Sequence, residues 1–438
     1  MTSRLFRASA RAHVRLQKPL ASWRVLALAA CSAISIVGGA YAQEAPLTLA
    51  EALRLAEAHD PRLRAAEAGL NGADGDLRQA RARLNPVLDV EVENFGGEDT
   101  LRGFDGSEST FRLSQQVELG DRRRARIDVA QQGRTAAVAE ALIARLDVLE
   151  EVQRAYYDAL AADVLVQIAV ERVETAEALQ ASVERRVAAA RDPLMAGARA
   201  EAGLAEARIA LDAAQREAAN ARATLASLIG ADVGFALAIG DLGVPDIRAH
   251  DHEADLDASP DLALVSAERD RARAELRLQR SRGWQDPTLS FGVRRFEETG
   301  ETGLVAGVSI PLGVFDRNGG AIARADADAR RAGFDVEAER RRLERDAAAL
   351  QRRLDGAAST VSAIERFVIP QAERALELAR DGYNQGAFSY LDVLEAQRAL
   401  TAAREARIEA LRNYHHTEAA LDRLTARFAD AFGAELSQ

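Results

Sequence analysis

Three groups of residues have types and spacings that could support chemistry. Asp89, Glu91 and Glu93 occupy alternate positions, so an extended segment places three carboxylates on one face. Such a row is either a solvated strand face or a wall that attracts cations. Paired carboxylates also perform glycoside hydrolysis, but side chains two apart on one strand have no partner across a sugar cleft. His250-Asp251-His252 with Glu253 offers donors suited to a divalent cation, within a polar connecting stretch. His415 and His416 are helical neighbours, and neighbours do not share one helical face. Gly-x-Ser-x-Gly, HExxH and a phosphate-binding loop are all absent. The expectation is therefore no enzyme, no cofactor and no resident metal.

The elements that must position these residues follow from periodicity. Thr48 and Glu51 form a capping-box pair that starts a helix. The helix stops at Asp60-Pro61, resumes through Arg83 and ends before Pro86. Leu88, Val90 and Val92 alternate with the carboxylates, which predicts a strand between apolar and aqueous surroundings over about 87–94. Similar alternation predicts strands over about 109–117, 288–296 and 304–311. From Asp121 to Ala190 there is no proline and one glycine, and Leu142, Leu146, Leu149, Val152, Tyr156 and Leu160 mark one helical stripe. Seventy helical residues would extend about 105 Å, so this helix spans a distance. It breaks at Arg191-Asp192-Pro193 and a partner helix returns to Ile229-Gly230. A second helical hairpin covers about 320–428, kinked at Pro370 and turning at Asn384-Gln385-Gly386-Ala387.

These elements occur twice. Pro61-Arg62-Leu63 recurs as Pro260-Asp261-Leu262, Asn85-Pro86 as Asp286-Pro287, and Val117-Glu118-Leu119-Gly120 as Ile310-Pro311-Leu312-Gly313. The chain reads as a tandem duplication, with a first repeat over 43–230, a connection over 231–258 and a second repeat over 259–438. Aromatics are only 5% and charged residues 29%, the profile of long helices packed side by side.

Residues 1–42 differ in kind. A basic start, an apolar stretch from Val25 to Val37 and Ala40-Tyr41-Ala42 predict a secretory signal cleaved before Gln43. Leu28-Ala29-Ala30-Cys31 also fits a lipoprotein cleavage box, but the apolar run continues past Cys31, so conventional cleavage is expected. Cleavage removes six basic and no acidic residues, taking the formal charge from −11 to −17. That balance disfavours nucleic acid and favours cations. No later apolar run approaches a transmembrane helix, so membrane entry requires strands. Four strands cannot close a barrel, because the smallest need about eight. Several copies must contribute strands to one barrel.

The succession of helix, proline, hairpin and long helical hairpin, given twice, resembles the TolC-type outer-membrane factors. Ser309-Ile310-Pro311-Leu312-Gly313 and the run from Gly382 to Leu394 carry the likeness, which covers about residues 47–428. The Asn85-Pro86 and Gln116-to-Gly120 segments and the short loops are most similar to the cobalt-zinc-cadmium resistance branch. The resemblance implies a mainly α fold with a transmembrane β part. Three copies would form a 12-stranded barrel in outer-membrane lipid, continued by an α-helical tunnel through the periplasm. Implied partners are a periplasmic adaptor and an inner-membrane resistance-nodulation-division pump. Arg191, Asp192, Pro193, Asn384, Gly386 and Ser389 match the family's adaptor-docking tips, and Asp392 its narrow acidic gate. Asp89, Glu91 and Glu93 would then face the lumen.

The branch resemblance implies divalent heavy-metal cations as cargo, the alternative being drug efflux or protein secretion through the same duct. A soluble periplasmic coiled-coil scaffold or adaptor is the more distant alternative. A typical adaptor has one helical hairpin flanked by β-rich halves, whereas this chain has two hairpins.

Overall fold

The computed structural model describes residues 46–99, 103–243 and 256–428. The leader expected over 1–42, with Cys31, and the His250-Asp251-His252-Glu253 group lie outside the described residues.

Helix α1 (Leu49–His59) starts at Thr48, whose hydroxyl accepts the Glu51 N–H. The reciprocal half of the expected capping box is not made. The Glu51 carboxylate turns instead to the Arg54 guanidinium, a stronger charge-assisted partner one turn on. Asp60 ends α1 and caps α2 (Pro61–Arg81), whose first residue is the proline that cannot continue α1.

Strands β1 (Val87–Glu93) and β2 (Glu108–Gln116) lead into α3 (Arg122–Ala188). At 67 residues α3 is about 100 Å long. Helix α4 (Leu194–Ile229) returns beside it and ends on Gly230 in the left-handed conformation. The second repeat runs α5 (Pro260–Ser281), β3 (Thr288–Phe296), β4 (Thr302–Ser309), α6 (Gly319–Ala363), α7 (Ile369–Gln385) and α8 (Tyr390–Leu424). Between α6 and α7, Ile364–Val368 form a π-helical turn just before Pro370. Proline removes a backbone donor and its ring meets the carbonyl four residues back. A widened turn relieves both without breaking the helix.

The four strands form one antiparallel sheet in the order β1-β2-β3-β4. The attached helices pack in the matching order, α2 on α3, α3 on α5 and α5 on α6. Strand and helix layers are thus one continuous palisade, with β1 and β4 as free edges among the described residues.

The packed core lies where α1 and the chain after α4 wrap the middle of α3. Leu47 pairs with Leu237, and the buried Tyr156 hydroxyl donates to Leu47 O (3.1 Å) and to the Asp241 carboxylate (2.7 Å). One phenol therefore ties together α3, the N-terminal segment and the inter-repeat connection. Farther along, α8 closes on α3 through two successive residue pairs. The His415 ring stacks on Tyr157 at 3.9 Å, and His416 Nε2 lies 2.9 Å from Asp158. The two imidazoles serve helix packing separately.

Candidate functional site

The sheet has two chemically opposite faces, set by the strand period of two. One face carries Leu88, Val90, Val92, Phe111, Leu113, Leu289, Phe291, Val293, Leu304 and Val308, all exposed or half-buried. Large apolar side chains in this number, left in contact with solvent by a single copy, need another apolar medium. The opposite face carries Asp89, Glu91, Glu93, Glu108, Arg112, Ser114, Ser290 and Arg294, as the cross-strand register requires.

That polar face differs from the bare acidic row expected of β1. Register places Asp89 opposite Arg112, Glu91 opposite Thr110, and Thr110 opposite Arg294. Glu91 accepts from Arg112 at 3.4 Å, Arg294 bridges Glu93 (3.1 Å) and Glu108 (2.8 Å), and the Ser114 hydroxyl donates to Asp89 (2.7 Å). Four carboxylates stand against two guanidiniums. The face stays net acidic, and its charges form a cross-braced network. Glu108, Arg112 and Arg294 are the residues that sequence reading missed, because only register reveals their neighbours.

The helical tips are built differently in the two repeats. In the second, Gly386 takes the left-handed conformation (φ +81°) that closes α7, where a side chain would be strained. Ala387 and Phe388 N–H then donate to Gly382 O at 2.8 and 3.2 Å. The Phe388 ring lies so close to Gly382 that any Cβ there would collide with it. Ser389 and Asp392 form a reciprocal capping box at the start of α8. The Asp392 carboxylate accepts from both the Ser389 N–H and hydroxyl at 2.7 Å, which hold it below the usual carboxylate range. Asn384, Gly386, Ser389 and Asp392 are exposed, and Asp392 is committed to this cap.

In the first repeat Ala190 occupies the left-handed position (φ +53°) without glycine's freedom. A side-chain lock holds this turn. Asp192 accepts from the Arg186 guanidinium at 3.0 and 3.1 Å and from the Tyr383 hydroxyl at 2.7 Å. Arg186 also donates to Tyr383 O (2.9 Å) and lies 4.4 Å from the centre of its ring. The lock thereby fastens the first tip to α7 of the second, above a core of Val183, Ala196, Leu376 and Val393. Arg186 holds the Asp192 carboxyl below its ordinary range, while burial and the Asp192 charge push the Tyr383 phenol up. Arg191 and Pro193 are exposed on the turn, beside exposed Leu194 and Met195.

Among the described residues no cluster of His, Cys, Asp and Glu could hold a metal ion, and no helix is long and apolar enough to cross a membrane. An apolar-faced, open-edged sheet continued by helices of this length defines one protomer of an outer-membrane channel with a periplasmic helical extension. Residues 52–231 and 253–427 match the family described as outer membrane efflux protein, and the chain belongs to that family. The family is non-catalytic and supplies the outer-membrane channels of resistance-nodulation-division efflux systems.

The chain is similar to the cobalt-zinc-cadmium resistance protein CzcC of Cupriavidus metallidurans. Identity is 33% over 385 residues, covering 87% of this chain and 90% of CzcC. It is also similar to the nickel-cobalt-cadmium resistance protein NccC of Alcaligenes xylosoxydans xylosoxydans, with 27% identity over 337 residues, 76% of this chain and 72% of NccC. In fold it matches crystallised CusC with a TM-score of 0.72 at 19% identity, covering 86% of this chain and 91% of CusC.

Proposed function

We propose that three copies of this chain form the exit duct for divalent heavy-metal cations, served by a periplasmic adaptor and an inner-membrane pump. The observation that carries the cargo is the similarity to CzcC along nearly its whole length. NccC, also named for cobalt and cadmium resistance, supports the same class. The duct performs no bond chemistry, and the pump supplies the work.

In this reading the apolar sheet face meets lipid and the polar face lines the lumen. Asp89, Glu91, Glu93 and Glu108, partly balanced by Arg112 and Arg294, raise the local cation concentration without a closed ligand set. Weak binding suits release. Arg191, Asp192, Pro193, Asn384, Gly386 and Ser389 form the adaptor-facing tips, where exposed Leu194, Met195 and Phe388 add apolar contact. Asp392 contributes a fixed negative charge at the tip opening. The chain is organised as leader (1–42), two repeats (43–230 and 259–438) and a connection (231–258).

The test is deletion of the gene with complementation. Growth is measured against zinc, cobalt, cadmium and a panel of lipophilic drugs. Metal-selective hypersensitivity restored by the gene supports the reading. Drug-selective hypersensitivity overturns the cargo and keeps the channel.

A further inference from the structure

Just below the seam where β2 and β3 join the two repeats, the chain changes its charge. Residues 78–86, 117–128, 277–287 and 312–318, which join helices to strands, hold eleven arginines against five acidic residues, in a chain of formal charge −11. The hairpin loops at the opposite end of the sheet, 94–107 and 297–301, hold six acidic residues and one arginine. The sheet is thus basic at its helical end and acidic at the other, and the helical end is the one that attracts an anion.

Packing does not use all of these arginines. Arg122 meets the buried Asp286, Arg126 meets Glu118, and Arg123 donates to Arg81 O at 2.6 and 3.1 Å. Arg277 reaches Asp128 only at 3.7 Å. Arg124 and Arg280 are exposed, and among the described residues their side chains enter no ion pair or hydrogen bond. Arg124, Arg277 and Arg280 line one cleft of about 510 Å³ between the start of α3 and the end of α5, together with Asp121, Asp128 and Trp284.

The Trp284 ring lies against Gly120, where a Cβ would come within 3.1 Å of it. Gly120 is also left-handed (φ +67°), so the position needs glycine on both counts. The tryptophan is still 66% exposed. An indole seated on backbone yet open to solvent suits the boundary between water and lipid, where Trp is enriched. It stands four residues before β3, and Gly120 four residues past β2.

The first turn of α3 sets the side on which the cleft opens. Arg122 meets Asp286 together with the Gln116 amide, and Gln116 belongs to the polar face by register. Arg124 is two residues on, about 200° round the helix. The cleft therefore opens on the side that continues the apolar face of the sheet.

We propose that this cleft binds the phosphate group of an anionic phospholipid in the periplasm-facing leaflet of the outer membrane. Arg124 and Arg280 hold the phosphate by charge-assisted hydrogen bonds, and the Trp284 ring covers the glycerol and the first methylenes. Three guanidiniums against Asp121 and Asp128 leave one net positive charge. That matches the single charge of a phosphodiester, such as that of phosphatidylglycerol, better than the two of free phosphate. An acidic chain thereby holds an anionic membrane surface that its net charge would repel.

The inference rests on the reading that the apolar sheet face meets lipid, and the experiment separates the two. The chain has two tryptophans, and Trp23 lies in the expected leader, so Trp284 fluorescence reports the cleft. Protein purified from outer membranes is reconstituted in vesicles of phosphatidylcholine and phosphatidylglycerol at one fixed ratio, with bromines on the acyl chains of one lipid or of the other. Trp284→Phe gives the background. Bromines on phosphatidylglycerol should quench about fivefold more per labelled lipid, the preference worth one guanidinium beside an anionic headgroup. Arg124→Gln with Arg280→Gln, at exposed positions that hold nothing in place, should bring the two signals level. The preference should survive millimolar inorganic phosphate at constant ionic strength. Equal quenching in the parent chain, or a preference that the double substitution leaves unchanged, overturns the site. A preference that inorganic phosphate abolishes assigns the cleft to free phosphate and overturns the lipid. If neither brominated lipid quenches Trp284, this side of the chain lies away from lipid, and the lipid-facing reading falls with the inference.

Discussion

The Tyr383 hydroxyl donates to the Asp192 carboxylate at 2.7 Å, joining the helical tips of two repeats otherwise far apart in sequence. Arg186 holds the same carboxylate with two further bonds, so Asp192 is oriented from both repeats. Tyr383→Phe keeps the buried ring and deletes only the hydroxyl bond. The expected cost is about 1 to 2 kcal/mol, or a roughly fivefold to thirtyfold increase in local opening of the first tip. Amide exchange of the turn at Arg191 and Asp192 measures it. Unchanged exchange would show that Arg186 alone closes the turn.

The same carboxylate sets a pH dependence. Arg186 depresses the Asp192 carboxyl, and burial raises the Tyr383 phenol, so of the three groups in this lock Asp192 is the one that titrates in the acid range. A depressed carboxyl contributes stability that is complete above its unfolded value, near about 4, and is lost as pH falls through the lower folded value. Tip opening should therefore be constant from neutral pH to about 5 and rise only below about 4. Asp192→Asn should abolish the pH dependence. A rise already at pH 6 in the parent chain would assign the switch to another group.

The architecture was legible because its signals are local and repeated. Leu88, Val90 and Val92 alternate with carboxylates within a few residues, and the Asn85-Pro86 and Asp286-Pro287 pairs mark the same helix-to-strand junction twice. The charge balance of the polar face was not legible. Arg294 reaches Glu93 only through a register that crosses β2, and no local pattern encodes that pairing. The tip lock was hidden for the same reason, since Arg186, Asp192 and Tyr383 meet by helix packing. Asp392 was legible in two ways, since its place near the tip suggests a gate and its spacing from Ser389 is that of a capping residue.

Asp286 is a buried polar anchor at the base of the sheet. Its side chain is 2% exposed and gathers Leu119 N–H, the Gln116 amide and the Arg122 guanidinium. Asp286→Ala strands a partly buried cation and an amide donor, and should cost about 3 to 5 kcal/mol. Asp286→Asn retains an acceptor and should cost less. Thermal unfolding of the detergent-solubilised channel ranks the two variants. Equal loss in both would mean that charge pairing with Arg122, rather than the Leu119 bond, holds the seam.

The final prediction concerns ion selectivity. On the polar face four carboxylates oppose two guanidiniums; Glu91 pairs with Arg112, and Glu93 shares Arg294 with Glu108. Replacing Glu91 and Glu93 by Gln leaves two carboxylates against two guanidiniums and removes the one ion pair that Arg112 makes among the described residues. If this face lines the lumen, the reversal potential across a salt gradient in a planar bilayer should fall toward zero. The loss should be largest at low ionic strength, because charges are screened beyond about 8 Å at physiological salt. Arg112→Gln alone should shift the potential the opposite way, toward stronger cation preference. A reversal potential that neither substitution moves would place the network away from the conducting path and require that another surface select the cation.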